Sequence, residues 1–246
     1  MIVLFTDFGL EGPYLGQMRA VLHRDAPGVP VVDLFADAPT FDPKASAYLL
    51  AAYAGAFPEG STFLCVVDPG VGSAREALVV RAAGRWYVGP DNGLMAVVAR
   101  LDPKAQAWRI DWQPAQLSAS FHGRDLFAPV AARLARGEPP PGQLCAIADL
   151  IGEDWPDELA CVVYVDRYGN AMTGLRAARL DPSTALLAAG RRLPRVRTFS
   201  DVAPGEAFWY ENANGLAEIA VNRGRAAETL GLEVGDPVDV LPQSED

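Results

Sequence analysis

The chain reads as two parts, a larger α/β domain with a mixed sheet covered by helices and then a smaller β-rich domain. Three observations lead there. Strand-like apolar runs alternate with helix-like runs before residue 137, the pattern of a sheet flanked by helices. Gly137-Glu138-Pro139-Pro140-Pro141-Gly142 then interrupts the chain, because successive prolines cannot continue a helix. Beyond it come short strand-like runs separated by Gly, Pro and Asn with no long helix, as in a small barrel or sandwich. A length of 246 residues suits one large domain or two modest ones. The expected division is 1–140, a linker over 141–158, and 159–246.

In chain order, residues 2–5 predict a short buried strand, 16–23 the start of a helix and 29–34 a second strand. Residues 44–54 follow a proline and are rich in Ala and Leu, which predicts a helix. Strands are expected at 62–67, 77–82 and 86–88, and amphipathic helices at 93–101 and 126–136. In the second part the strand-like runs are 159–165, 172–175, 185–187, 208–210, 216–221 and 237–241. There is no internal repeat and no low-complexity tract.

Composition narrows the function. Half the residues are hydrophobic (50%), enough for a sizeable core, and the net charge is −10 without any basic run. Nucleic acid and anionic membrane are therefore not expected partners, while a small cationic ligand is electrostatically welcome. Cys65, Cys145 and Cys161 lack metal-type spacing, and Cys65 lies in an apolar run as a small buried hydrophobe would. Lysine is nearly absent (Lys44, Lys104) while arginine is plentiful, which reports genome composition more than function. No stretch approaches the ~20 apolar residues of a membrane span, and the opening run reads as a strand, not a secretion signal. A cytoplasmic protein is the expectation.

Loops after strands carry the chemistry in such sheets. Asp7 ends the first strand; it either closes an Asx turn or accepts hydrogen bonds from a vicinal diol. Asp68-Pro69-Gly70-Val71-Gly72-Ser73-Ala74-Arg75 joins a carboxylate and a guanidinium in one glycine-rich loop, where they can pair. Phe121-His122-Gly123-Arg124-Asp125 holds one of only two histidines; the other, His23, sits among charged residues on a helix and reads as surface. Jointly, Asp68, Arg75 and His122 could meet around one water. Asp91-Asn92-Gly93 is good turn chemistry. Asp166-Arg167-Tyr168-Gly169-Asn170 is either a β-turn or a purine reader: an Asn amide matches a donor and an acceptor, and a Tyr face stacks. Asn212-Ala213-Asn214-Gly215 and Val221-Asn222-Arg223-Gly224 are similarly turn-prone and polar.

Thr6-Asp7-Phe8-Gly9, Asp68-Pro69-Gly70-Val71-Gly72-Ser73, Pro90-Asp91-Asn92-Gly93-Leu94, Phe121-His122-Gly123-Arg124-Asp125 and Asp166-Arg167-Tyr168-Gly169-Asn170, in this order, closely resemble the S-adenosylmethionine hydroxide adenosyltransferase family. Its members are adenosine-forming S-adenosylmethionine hydrolases, relatives of the fluorinases and chlorinases. The resemblance spans nearly the whole chain. It implies a small carboxyl-terminal β-barrel and a homotrimer with sites between subunits, the large domain of one chain facing the small domain of its neighbour. It maps the water-activating triad onto Asp68, Arg75 and His122 and the ribose-binding carboxylate onto Asp7. Phe41 falls where halogenating relatives place a ring beside ribose and methionine. Purine and methionine contacts map onto Asp166, Tyr168, Asn170, Phe199, Asn214 and Asn222, with Asn214 where halogenating relatives carry arginine.

The expected reaction is hydrolysis of S-adenosyl-L-methionine to adenosine and L-methionine. A sulfonium leaves as neutral methionine, so the site must supply an in-line oxygen nucleophile at C5′ and a held ribose. His122 and Asp68 are expected to orient the water and accept its proton, and Arg75 to favour hydroxide character. Asp68 would repel a halide, which favours hydrolysis over halogenation. No metal or other cofactor is expected. The rivals are halide-dependent adenosyl transfer, a metal-dependent phosphoester hydrolase using Asp7, Asp37, Asp68 and Asp91, and a nucleoside or S-adenosylmethionine sensor without turnover.

Overall fold

A computed structural model describes residues 1–241, and they fall into two compact units, Met1–Trp155 and the residues from Pro156 onward. In the first unit the elements run β1 (Ile2–Thr6), α1 (Tyr14–Asp25), β2 (Val31–Phe35), α2 (Pro43–Ala54), β3 (Thr62–Val66), β4 (Ala77–Ala82), β5 (Arg85–Pro90), α3 (Ala96–Leu101), β6 (Gln106–Ile110), α4 (Ala128–Ala135) and β7 (Gly142–Cys145). One turn of π-helix, Gly123–Phe127, leads into α4.

The seven strands form one sheet in the order β2-β1-β3-β5-β4-β6-β7. The β2, β1, β3 and β5 strands are parallel, and the pairings of β4 with β5 and β6, and of β6 with β7, are antiparallel. Every residue of β1 is buried, as expected for a strand covered on both faces. Its alternate residues diverge. Ile2 and Leu4 join Leu64 and Val66 of β3 under α1 and α4, whose Met18, Leu22 and Val130 complete that core. On the other face Phe5 packs on Phe35, and Phe63 stacks on Tyr87. The Asp42 carboxylate caps α2 by accepting from the Ala45 amide at 2.9 Å, with Pro43 in the first turn.

Residues 142–145, expected as linker, instead form β7 and pair with β6. The prolines end in Gly142, whose close approach to Arg109 O leaves no room for a side chain. Neither β6 nor β7 was expected, since both are short and partly exposed.

The second unit contains β8 (Leu159–Val165), β9 (Ala171–Arg176), β10 (Ala185–Ala188), β11 (Arg191–Leu193), β12 (Ala207–Glu211), β13 (Leu216–Val221), α5 (Ala226–Leu230) and β14 (Asp239–Leu241). Its two antiparallel sheets have the orders β12-β13-β9-β8 and β11-β10-β14. Single bridges, Cys161 with Pro237 and Arg195 with Trp209, join β8 to the approach of β14 and the exit of β11 to β12. The described strands thus close into a ring around Trp209, Ile219, Leu186 and Val162, a small barrel. Among the described residues no helix is long and apolar enough to cross a membrane.

Candidate active site

Neighbouring parallel strands β1 and β3 pair in register, Thr6 beside Val66, so Asp7 and Asp68 emerge together at their carboxyl ends. Asn92 secures this rim by donating Nδ2 to Val67 O at 2.8 Å, just before Asp68. Asp91 accepts from the Ile151 amide at 3.1 Å, and burial pushes its carboxyl up. The Asp91-Asn92-Gly93 motif therefore holds structure.

Arg75 folds back across its loop to Asp68, donating Nε to Oδ1 at 2.9 Å and Nη2 to Oδ2 at 2.5 Å. The Arg75 and Asp68 side chains are 9% and 5% exposed, so this is a buried, two-pronged pair. The guanidinium also sits over the Phe127 ring, 5.1 Å from its centre. Gly72 permits the fold-back: its φ is +80°, and a Cβ there would lie 2.6 Å from Ala119 O.

The same Nη2 reaches Nδ1 of His122 at 3.0 Å. A guanidinium only donates, so Nδ1 accepts and the neutral ring carries its proton on Nε2. Burial first, and then the Arg75 charge, pull the imidazole below its ordinary value against the opposing pull of Asp68 and Asp125. The ring is thus held neutral, with an N–H donor at its far side.

Asp7, Phe41, Asp68 and His122 line one cavity of about 370 Å3, together with Phe8, Tyr14, Thr40, Val71, Ser120 and Phe121. Phe8, Tyr14 and Phe121 form a triangle of tilted and edge-on rings with centres 5.5–5.9 Å apart. Asp7 accepts from the Phe41 amide through Oδ2 at 3.1 Å and from its own backbone amide. Phe41 takes a φ of +58° and is 74% exposed, a strained position for a bulky residue beside a site. Burial, with Asp68 nearby, raises the Asp7 carboxyl above its ordinary value despite the Phe41 bond. Among the described residues no group of three or more His, Cys, Asp or Glu side chains could hold a metal, so Asp7, Asp37, Asp68 and Asp91 make no such cluster.

In the second unit, Asp166 accepts from the Asn170 amide at 2.8 Å and from its Nδ2 at 3.3 Å, closing the turn that carries Tyr168, which is 76% exposed. Gly169 has a φ of +82°, and a Cβ there would lie 2.7 Å from the Arg225 Cβ. Phe199 packs edge-on against Phe208 and Tyr210. The Asn214 amide N–H donates to Asn212 Oδ1 at 2.9 Å. Asn222 donates its Nδ2 to Val202 O at 2.7 Å, so its side chain serves the fold. Sequence reasoning missed Glu218, a carboxylate only 2% exposed; the signal was its place as the lone charge in a wholly buried strand.

Comparison with known proteins decides the relationship. The model of the SAM hydroxide adenosyltransferase N-terminal domain matches residues 2–144, and that of the C-terminal domain matches residues 160–239. The chain belongs to the SAM hydroxide adenosyltransferase family. It is 43% identical to an (R)-S-adenosyl-L-methionine hydrolase of Thermus thermophilus, over 98% of this chain and 99% of that one. It is 37% identical to a protein of the same name from Salinispora tropica, over 96% of this chain and 95% of that one. A crystal structure of a conserved Thermotoga maritima protein superposes with a TM-score of 0.88 at 29% identity, covering 98% of this chain and 100% of the other. The ordered motifs that suggested this family from sequence lie in both matched domains.

Proposed function

We propose that this protein hydrolyses S-adenosyl-L-methionine to adenosine and L-methionine, by in-line attack of a water held at Asp68, Arg75 and His122. The observation that carries the reading is the buried Asp68–Arg75–His122 chain opening into the cavity that Asp7 also lines. Hydrolase relatives at 37–43% identity over nearly full length support it.

Asp7 Oδ1 accepts from a ribose hydroxyl while Phe41 covers the sugar. The Nε2–H of His122 donates to the water oxygen, which aims a lone pair at C5′. This differs from the sequence expectation that His122 takes the proton, because Arg75 already occupies its Nδ1 lone pair. Asp68, two-pronged to Arg75, keeps further lone pairs and is the acceptor. The oxygen–C5′ bond forms as the C5′–sulfur bond breaks, the electron pair leaves on neutral methionine, and a water proton passes to Asp68. Attack on a sulfonium disperses charge, which a site walled by Phe8, Tyr14 and Phe121 favours. The carboxylate that welcomes this proton also repels halide, which disfavours adenosyl transfer to chloride. These steps ask for no metal or cofactor. Residues of the second unit join from a neighbouring copy in a cytoplasmic homotrimer, the arrangement that the resemblance carries. The sulfonium accepted is the (R) epimer, as in the relatives' names.

The test is product analysis after incubation with mixed sulfonium epimers, with and without chloride and a chelator. Equimolar adenosine and methionine from the (R) epimer, unaffected by either addition, is expected. Intact substrate in every arm would leave only a sensor, a chlorinated nucleoside would indicate transfer, and loss with chelator would indicate a metal.

A further inference from the structure

Hydrolysis as derived above uses His122 of Phe121-His122-Gly123-Arg124-Asp125 and leaves the last two residues of that motif without a task. They pair as chain neighbours, Arg124 donating Nε to Asp125 Oδ1 at 2.6 Å and Nη2 to Oδ2 at 3.0 Å. Asp125 reaches further: its Oδ2 also accepts from the Ser118 amide at 2.9 Å, seven positions back. The Arg124 bond, ahead of every other influence, holds the Asp125 carboxyl below its ordinary value, so both oxygens accept. The Asp125 side chain is 15% exposed and stands on the π-helical turn, which gives the grip a regular base.

The gripped segment, residues 118–121, leads straight into His122 and lies against the loop that carries Arg75. The two loops already touch, since a Cβ on Gly72 would lie 2.6 Å from Ala119 O. Across this contact Arg75 Nη2 meets His122 Nδ1 at 3.0 Å. A shift of the segment by about 1 Å would part the ring from Arg75. Arg124 fixes the wall beside the ring. Its guanidinium lies over Phe121, 4.9 Å from the ring centre, and its Nη1 donates to Gln17 Oε1 on α1 at 2.7 Å. Phe121 meets Tyr14, the first residue of α1, edge-on at 5.5 Å, and both line the cavity. One pair of neighbours thus anchors the backbone before His122 and the aromatic wall next to it.

We propose that Asp125 is a positioning residue: by holding the Ser118 amide and the Arg124 guanidinium, it seats residues 118–121 so that His122 meets Arg75 and turns Nε2–H to the water. The inference rests on the proposed hydrolysis, in which that N–H orients the nucleophile. Position, not charge, is the contribution, because the grip on Ser118 needs only an oxygen. In-line attack tolerates little misplacement, and an error of about 1 Å costs on the order of a hundredfold. Asp125 touches no substrate, so the loss falls on kcat and spares KM.

The experiment compares wild type, Asp125→Ala and Asp125→Asn by steady-state hydrolysis, by thermal melting and by nitrogen NMR of the ligand-free imidazoles. The chain has 2 histidines, so His122 needs to be told only from His23. Wild type is expected to show a single His122 tautomer, protonated on Nε2. Asp125→Ala should lower kcat by about tenfold to a hundredfold with KM within about threefold, and its His122 should average between tautomers. Asp125→Asn keeps an oxygen for the Ser118 amide, so it should hold the tautomer and recover about fivefold of that loss. Its acid limb should move to lower pH, since Asp68 and Asp125 raise the imidazole against burial and Arg75, and one of the two is gone. A folded Asp125→Ala with unchanged kcat or unchanged His122 resonances would overturn the proposal, as would a folded Asp125→Asn that lost the single tautomer. A wild-type ring averaging between tautomers would overturn it even if Asp125→Ala failed to fold. In each of these cases hydrolysis by wild type keeps the functional reading. A wild type with the ring fixed and no turnover would remove that reading while the placement of His122 by Asp125 stood.

Discussion

Two buried carboxylates serve the two units in opposite ways. Asp68 is neutralised by a full positive charge, Arg75, seven positions along the same loop. Glu218 accepts instead from neutral donors, the Tyr210 hydroxyl and Asn212 Nδ2, two positions apart at the end of β12. Where a proton is to be taken up, a charge-paired carboxylate keeps lone pairs for the incoming hydrogen. Where a carboxylate only holds the fold, directional hydrogen bonds from neutral donors suffice. The comparison teaches that burial alone does not mark a reacting group; its partners do.

The comparison breaks most easily at Arg75. Arg75→Met removes the charge while keeping length, leaving Asp68 buried and unpaired. Denaturant titration should show a loss of about 3–5 kcal/mol, and turnover should fall at least as far as for His122→Ala. A stable, active Arg75→Met would dissolve the distinction between the two carboxylates.

Next in size is His122. His122→Ala should lower kcat/KM by ~10²–10⁴, whereas His122→Gln, which can still donate a hydrogen bond, should recover about tenfold of that loss. Burial and Arg75 hold the imidazole below 6.5, so wild-type kcat/KM should show an acid limb below that pH, which His122→Gln should lack. The linked stability has the same sign. The unfolded chain takes up this proton at higher pH, so the contribution is complete above 6.5 and shrinks as pH falls through the depressed value. Equal activities of the two variants, both without the limb, would return His122 to the role of base.

Smallest is Tyr210→Phe. Glu218 keeps Asn212, so a loss of about 1–2 kcal/mol, visible as a modest drop in melting temperature, is expected. A loss as large as that of Arg75→Met would show that neutral donors and a paired charge are equally indispensable.

Legibility in the sequence follows the range of the interactions. Strands such as Ala77–Ala82 and Leu216–Val221 were read with their observed bounds, because apolar runs between turn residues announce themselves locally. Edge strands such as β6 and β7, and the five-residue helix α5, carry too few apolar residues to stand out; Leu144 in β7 is 65% exposed. The Asp68–Arg75 pair was legible because one loop holds both partners, and His122 because histidine is so scarce here. The Phe41 amide bound to Asp7 spans 34 positions and uses backbone, so no residue type betrays it. Glu218 showed in the sequence only as the lone charge of an apolar run, and its donors converge only after the barrel has closed.

That closure has a consequence of its own. The described strands of the second unit leave no bare rim, since the bridges at Cys161 and Arg195 complete the circuit. Copies of this unit cannot be stitched together by lengthening a common sheet. Any assembly through it must rely on matched side chains, and a single well-chosen surface change can part the copies while each keeps its shape.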